Sequence, residues 1–258
     1  MKRLTLAKRD EVYNAPIINW SNETYTPISN KFIMNMIDDK INSLGLTVKN
    51  ESYKASTTKS GLITGVIGSY DITADNEEFG QRIMFRNSYD KSMSFAIVCG
   101  TCVWICTNGC ISGDYQFKRI HRGVNKDIQN GYVVEDLSTT QEDIVQNIDG
   151  GFSMLQNAFE NVVKQMNELK HFEISPKETF GILGELFFNK EVISITQMSA
   201  IKRELQYSQH FKHFGDKDFT AYDLYNDITE VLKSSHPSVY ISNHIDTHNL
   251  FKETFNLN

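Results

Sequence analysis

Residues 82–106, RIMFRNSYDKSMSFAIVCGTCVWIC, decide the fold of this chain because their residue types change with a period of two. Ile83 and Phe85 alternate with Arg82 and Arg86, which is the pattern of a strand with one face turned to a core. The polar run NSYDKS that follows is typical of a turn, and a second apolar run comes directly after it. The stretch therefore predicts two strands joined by a hairpin connection.

The same period extends outward on both sides of this hairpin. Short alternating runs fill residues 47–120, and turn residues such as Asp75-Asn76, Cys99-Gly100-Thr101 and Asn108-Gly109 separate them. Short connections favour neighbouring antiparallel strands over parallel ones, which need long crossovers. We therefore expect an antiparallel β-sheet over about residues 47–120.

Helical patterns flank the predicted sheet. Ser29 can cap a helix whose apolar stripe ends before Gly45, while residues 1–28 predict an extended N-terminal arm. Residues 138–258 step by three or four between apolar positions, as helices do. The sequence predicts an α+β fold: an N-terminal helix, an antiparallel sheet, and C-terminal helices packed on that sheet in one domain over residues 29–258.

Three local signals modify the helical half. Gly150-Gly151 is expected to weaken or bend the first long helix. Ser175, Pro176 and Glu178 together form a strong helix start, with a cap, a proline and a capping-box glutamate. Pro237 is expected to stop a helix predicted near residues 220–234.

Composition limits the classes of function. The net charge of -6 gives the whole protein no attraction to nucleic acid or to an anionic membrane, so binding would need a local basic patch. The most apolar stretch is too short to span a bilayer, and the N-terminus lacks the apolar core of a signal peptide. We therefore expect a cytoplasmic protein in a host cell, with reduced cysteines, no membrane partner and no cofactor.

Four short motifs occur in a recognisable order: NSYDKS at 87–92, CTNG at 106–109, IHRG at 120–123 and YDLYNDITEVL at 222–232. This order resembles the phage- and plasmid-like proteins grouped as domain of unknown function 932, over roughly residues 60–235. The resemblance implies a protein carried by phages, prophages or plasmids. The chain lacks the long polar insertions of larger members, and the family supplies no reaction.

The cysteines have the compact spacing C-x2-C-x3-C-x3-C, at Cys99, Cys102, Cys106 and Cys110. Thiolates this close could bind zinc or an iron–sulfur cluster. In strand-like sequence, however, such gaps place the side chains on different faces, and buried free cysteines are common. Core cysteines are the favoured interpretation, and no metal ligand is assigned.

The hairpin connection offers a second candidate site. The residues that could line a ligand cleft there or near the following turn are Asn87, Ser88, Asp90 and Asn108. A single carboxylate supports metal binding weakly, because Mg²⁺ needs several converging oxygens. Asn, Ser and Asp also commonly bond their own backbone in turns, so a purely structural turn is the favoured alternative.

The third candidate is a basic, aromatic stretch, YQFKRIHRGVNK at residues 115–126. Its cations can contact phosphates and its aromatic rings can stack on bases, while an arginine pair on another strand could extend the same surface. The alternative is a solvated sheet edge that resists strand addition. The residues predicted to bind nucleic acid are Arg82, Arg86, Tyr115, Lys118, Arg119, His121 and Arg122.

Three functions remain open at this stage. The leading hypothesis is a non-enzymatic protein of DNA metabolism that binds single-stranded DNA, and the order of elements would suit a single-strand annealing protein by fold analogy. The second is a factor that binds a host protein, such as a defence protein. The third is a small metal-dependent nuclease or nucleotide-processing enzyme using Asp90 and His121. The heptad-like rhythm of residues 144–169 also leaves self-association open.

Overall fold

The computed structural model describes residues 5–18, 27–90, 92–93, 95–104, 109–119 and 138–257. The predicted α+β class is confirmed: a helix precedes an antiparallel sheet, and further helices follow it. The strands are β1 (Thr5–Ala7), β2 (Val48–Thr57), β3 (Ile63–Ile72), β4 (Phe79–Ser88), β5 (Phe95–Val103) and β6 (Gly109–Arg119). The helices are α1 (Arg9–Tyr13), α2 (Asn30–Ser43), α3 (Ser138–Leu169), α4 (Pro176–Gly184), α5 (Ile195–Tyr207), α6 (Ala221–Leu232) and α7 (Pro237–Phe255), with a π-helical turn at Glu185–Asn189 after α4.

The strands lie in the sheet in the order in which they occur along the chain, from β1 to β6. Strand β2 pairs antiparallel with β3 in a register that sets Tyr53 opposite Gly68, and β1 pairs antiparallel with β2. Each strand thus neighbours the one that precedes it, as short connections require. This order leaves β6 as the last strand of the sheet on the side away from β1.

The turn predicted at Cys99-Gly100-Thr101 is wrong. Strand β5 runs without interruption through these residues from Phe95 to Val103, and all of it is buried. A glycine inside a strand is tolerated where the neighbouring strands supply the pairing that its own propensity lacks. The hairpin connection predicted between β4 and β5 does occur, because β4 ends at Ser88 and β5 begins at Phe95.

The N-terminal region contains more regular structure than the extended arm predicted from its sequence. Strand β1 and the single-turn helix α1 lie within it. The Arg9 guanidinium pairs with the carboxylates of Asp38 on α2 and Glu51 on β2, and these contacts hold α1 against the first strands. Because these partners are distant in sequence, local pattern could not predict the ordering of this segment. The predicted cap of α2 is confirmed, since the Ser29 side chain accepts a hydrogen bond from the backbone N–H of Phe32.

Helix α3 is continuous from Ser138 to Leu169, so Gly150-Gly151 does not end it. The Cys99 thiol donates a hydrogen bond to the Gly151 carbonyl oxygen, with a donor–acceptor distance of 2.9 Å. A side-chain Cβ at Gly151 would meet that sulfur at 3.5 Å, in ordinary van der Waals contact. The contact between α3 and β5 thus offsets the low helix propensity of glycine at this position.

The later helices begin largely where their capping signals predict. Ser175 and Glu178 form the predicted capping box of α4. The role predicted for Pro237, to end α6, is wrong because α6 has already ended at Leu232. The proline is the first residue of α7, where its fixed φ suits a helix start.

The chain divides into two compact units, and the single domain over residues 29–258 stays a prediction. The first combines residues up to 73 with 82–99 and 115–155, and the second combines 74–81, 100–114 and 156–258. In the second unit, Phe79 and Val103 from the strands share a core with Val162 of α3 and Leu224 of α6. None of the helices within the described ranges has the length and apolar character needed to cross a membrane.

Candidate nucleic-acid interface

The basic, aromatic stretch begins on the terminal strand of the sheet. Tyr115, Lys118 and Arg119 fall within the last five residues of β6. A terminal strand presents one row of backbone N–H and C=O groups that its own sheet does not use, and charged residues commonly mark such an edge. His121 and Arg122 lie outside the described residues. The structure thus places three of the predicted residues on a strand that ends the sheet.

Arg82 occupies a different environment. Its side chain is only 7% exposed, and its Nε donates to Asp71 Oδ1 at 2.6 Å across the β3–β4 pair. The other oxygen of Asp71 accepts from the Asn50 side-chain amide on β2 at 3.2 Å. The charge of Arg82 is therefore matched inside the fold, and its contacts explain its presence without a ligand.

Arg86 lies four residues further along β4, so strand alternation places it on the same face as Arg82. Its side chain is also buried, and this burial lowers the pKa of the guanidinium because the charged form loses hydration. Strand β5 lies between β4 and β6, which separates the two basic strands by about 10 Å, twice the usual strand spacing. The two arginines of β4 are thus buried members of the sheet that ends in β6.

The hairpin residues make contacts within the protein. The Asn87 amide donates to the Ile28 carbonyl and to the Asn30 side-chain oxygen, both at 2.8 Å, and so joins β4 to the start of α2. Ser88 exchanges hydrogen bonds with the backbone of Met93, which closes the β4–β5 connection. These contacts support the structural interpretation of both residues.

Asp90 has the role expected of a turn aspartate, since its Oδ1 accepts the backbone N–H of Ser92 at 3.1 Å. Asn108, the fourth candidate of this group, lies outside the described residues. The carboxylate of Asp90 is accordingly used by its own turn.

The structure describes two cysteines in full, Cys99 and Cys102, and both are buried. They lie three residues apart on β5 and therefore on opposite faces of the strand, which prevents them from sharing one metal ion. Burial raises the pKa of the Cys99 thiol to about 12, so this thiol stays protonated. For these two residues the core interpretation is confirmed. Cys106 and the side chain of Cys110 lie outside the described part of the chain.

Sequence reasoning missed a cluster in the C-terminal helices. Asp227 on α6 is 1% exposed, and it lines a pocket together with Glu204 of α5 and Glu230 of α6. Helix α6 has an apolar stripe through Leu224 and Ile228, but its polar face is buried as well, so the stripe does not separate buried from exposed positions. In the sequence, the buried carboxylate is indicated by an aspartate that lies between the apolar residues Leu224 and Ile228.

Comparison with known proteins gives one result. No curated protein and no solved structure matches the chain significantly. The family model described as Domain of unknown function (DUF932) matches residues 19–250, which is most of the chain. This protein therefore belongs to the DUF932 family.

Proposed function

We propose that this protein binds single-stranded DNA through the edge formed by β6 and the segment that follows it. Residues 115–126 contain two lysines and two arginines and no acidic residue, within a chain whose net charge is -6. A local charge of this kind is needed for an acidic protein to attract a polyanion. This concentration of positive charge at the last strand of the sheet is the observation that carries the proposal.

The aromatic residue of this strand supplies the second element of single-strand recognition. Bases without a partner strand expose their flat faces, and stacking on an aromatic ring contributes about 1–3 kcal/mol per base with little dependence on sequence. Tyr115 precedes Lys118 and Arg119 on β6, so a ring and two cations follow one another along the same strand. We expect binding to be tolerant of sequence and sensitive to salt.

Arg82 and Arg86 have a supporting role in this proposal. Both are buried, and the charge of Arg82 is matched by Asp71. They stabilise the sheet whose last strand contacts the DNA. A protein with these properties fits the DNA metabolism of a phage or plasmid, and the order of helix, antiparallel sheet and long helix suits single-strand annealing by fold analogy.

The salt dependence gives a quantitative test. If the four cations between Lys118 and Lys126 each neutralise one phosphate, the affinity should fall about 50-fold between 50 and 200 mM salt, from a slope of about 0.7 per cation for single strands. The measurement is fluorescence anisotropy of a labelled oligonucleotide. Replacing Lys118, Arg119 and Arg122 by glutamine should reduce the loss to about threefold over the same range, and replacing them by glutamate should abolish binding.

A control variant with the same net charge tests whether binding depends on the basic stretch or only on the total charge of the protein. Lys59, Lys202 and Lys217 are exposed and lie outside the basic stretch. Changing these three to glutamate alters the net charge as much as the glutamate variant of the basic stretch does, and should leave most of the affinity. If the wild-type protein shifts no oligonucleotide at low salt, or if both triple variants lose binding equally, the proposal fails.

The second candidate function, binding of a host protein, is favoured by a different observation. Several large apolar side chains of the C-terminal helices are more than half exposed, namely Phe180, Phe188, Ile195 and Tyr207. Exposed aromatic and aliphatic residues are typical of protein contact surfaces. A partner captured from host lysate after nuclease treatment, and lost when Phe188 is replaced by serine, would support this function over DNA binding.

A further inference from the structure

A pocket of about 560 Å³ lies in the second compact unit, between α5, the segment after it and α6. This volume is in the range of sites that bind small molecules. We call it the Asp227 pocket, and the residues of its wall used below are Arg203, Glu204, Tyr207, His210, Asp227 and Glu230. None of them belongs to the DNA-binding edge proposed above.

The carboxyl group of Asp227 is the unusual member of this wall. The residue is 1% exposed, and its Oδ2 has no hydrogen-bond partner within the described part of the protein. A buried oxygen without a partner destabilises the fold by about 1–3 kcal/mol. A donor entering the pocket would remove this cost, so the free oxygen points to a ligand that carries N–H or O–H groups.

The surrounding charges indicate the sign of that ligand. The pKa of Asp227 is raised to about 8, mainly by burial. A hydrogen bond from the Ser208 hydroxyl lowers it, and the nearby carboxylates of Glu204, Asp223 and Glu230 contribute further to the rise. All three carboxylates thus act on Asp227 as negative charge. A cationic ligand would reverse this unfavourable interaction.

The basic residues of the pocket lie beside other carboxylates of its wall. Lys233 binds Glu230 at 2.6 Å, and Arg203 lies 3.9 Å from Glu204 with a side chain that is 72% exposed. His210, on the segment after α5, completes the titratable groups that line the pocket.

The arrangement favours an organic cation over a metal ion. Within the described ranges, no three His, Cys, Asp or Glu side chains converge as the protein ligands of a metal site would. An ammonium or guanidinium group requires only one well-placed carboxylate, and aromatic rings add favourable contact. Tyr207 and Phe211 supply such rings in the wall.

We propose that the Asp227 pocket binds a small organic cation, a polyamine or an alkylguanidine, through an ion pair between its nitrogen and the Asp227 carboxylate. The carboxyl group loses its proton to the solvent as the cation enters, so proton release accompanies binding. Glu204 and Glu230 line the same wall and add negative charge near the bound cation. This inference is independent of the DNA-binding proposal.

Isothermal titration of the full chain with spermidine, agmatine and MgCl₂ tests the proposal, at near-physiological salt to suppress non-specific attraction. Wild-type protein should bind at least one of the two amines and not Mg²⁺. Because the carboxylate form is required, the affinity should rise about 50-fold between pH 6 and pH 8, where the ionised fraction of a group with a pKa near 8 rises from about 1% to one half.

The variant Asp227→Asn should lose at least tenfold in amine affinity together with the pH dependence. It should remain folded, because the amide has the shape of the protonated carboxyl group already present. The matched control is Asp39→Asn, which removes an exposed carboxylate from α2 and should bind like the wild type. Wild-type protein that binds neither amine at pH 8, Asp227→Asn that binds as well as the wild type, or Mg²⁺ binding that requires Asp227 would each overturn the proposal.

Discussion

Replacing Arg82 by methionine should destabilise the protein by about 3–5 kcal/mol near neutral pH, because the substitution leaves the Asp71 carboxylate buried without its counter-ion. The two side chains are 7% and 2% exposed, and 2.6 Å separates Arg82 Nε from Asp71 Oδ1. The side-chain amide of Asn50 remains as a partner of Asp71, but it carries no charge.

The loss of stability is expected because Arg82→Met leaves the Asp71 carboxylate unpaired, and not because it removes a polar side chain. The double variant Asp71→Leu with Arg82→Met replaces both charges by apolar groups and should return to within about 1 kcal/mol of the wild type. The resulting coupling energy should then be several kcal/mol. Lys59→Met, at an exposed position, is the control and should change stability by less than about 0.5 kcal/mol.

Urea unfolding followed by circular dichroism measures these differences, with equal slopes required for the comparison. The interpretation is refuted if Arg82→Met lies within about 1 kcal/mol of the wild type, or if the double variant is as unstable as the single one. The Arg82→Met variant also tests whether Arg82 contacts DNA. A stable Arg82→Met variant that loses oligonucleotide affinity would show that Arg82 acts on a ligand and not on Asp71.

Three further predictions follow from other parts of the structure. Since the pKa of Asp227 is raised to about 8 in the folded state, its contribution to stability is complete below about pH 4 and declines as the pH rises to 8. At about 1.4 kcal/mol per pKa unit, Asp227→Asn should exceed the wild type by on the order of 5 kcal/mol at pH 8 and match it at pH 4, as measured by urea titrations at both values. A Cβ at Gly80 would overlap the Trp104 ring, so Gly80→Ala should cost about 1–3 kcal/mol of stability and shift the tryptophan fluorescence in a Trp20→Phe background. Unchanged emission and stability would contradict this packing. The Cys99 thiol, with its pKa raised to about 12, should resist iodoacetamide in the native protein at pH 8 and react after denaturation, which peptide mass spectrometry can follow.

The sequence by itself determined the features that depend on neighbours along the chain. Alternation around Ile83 and Phe85 predicted strand β4, and the caps at Ser29 and Ser175 located the starts of α2 and α4. The short connections between strands predicted the antiparallel sheet. Each of these signals is a local periodicity or a hydrogen bond between residues three or four positions apart.

The tertiary structure determines which side chains are buried or already paired and which can contact a ligand. Gly100 lies within β5 and Gly151 within α3 because neighbouring elements pack there and override the local preference. Arg82 has the residue type of a phosphate ligand, yet pairing of β3 with β4 brings Asp71 to it and matches its charge. Asp227 gave no clear signal, because its burial and free oxygen arise where α5 and α6 meet. Ionisation and exposure depend on contacts between residues distant in sequence, which local pattern does not encode.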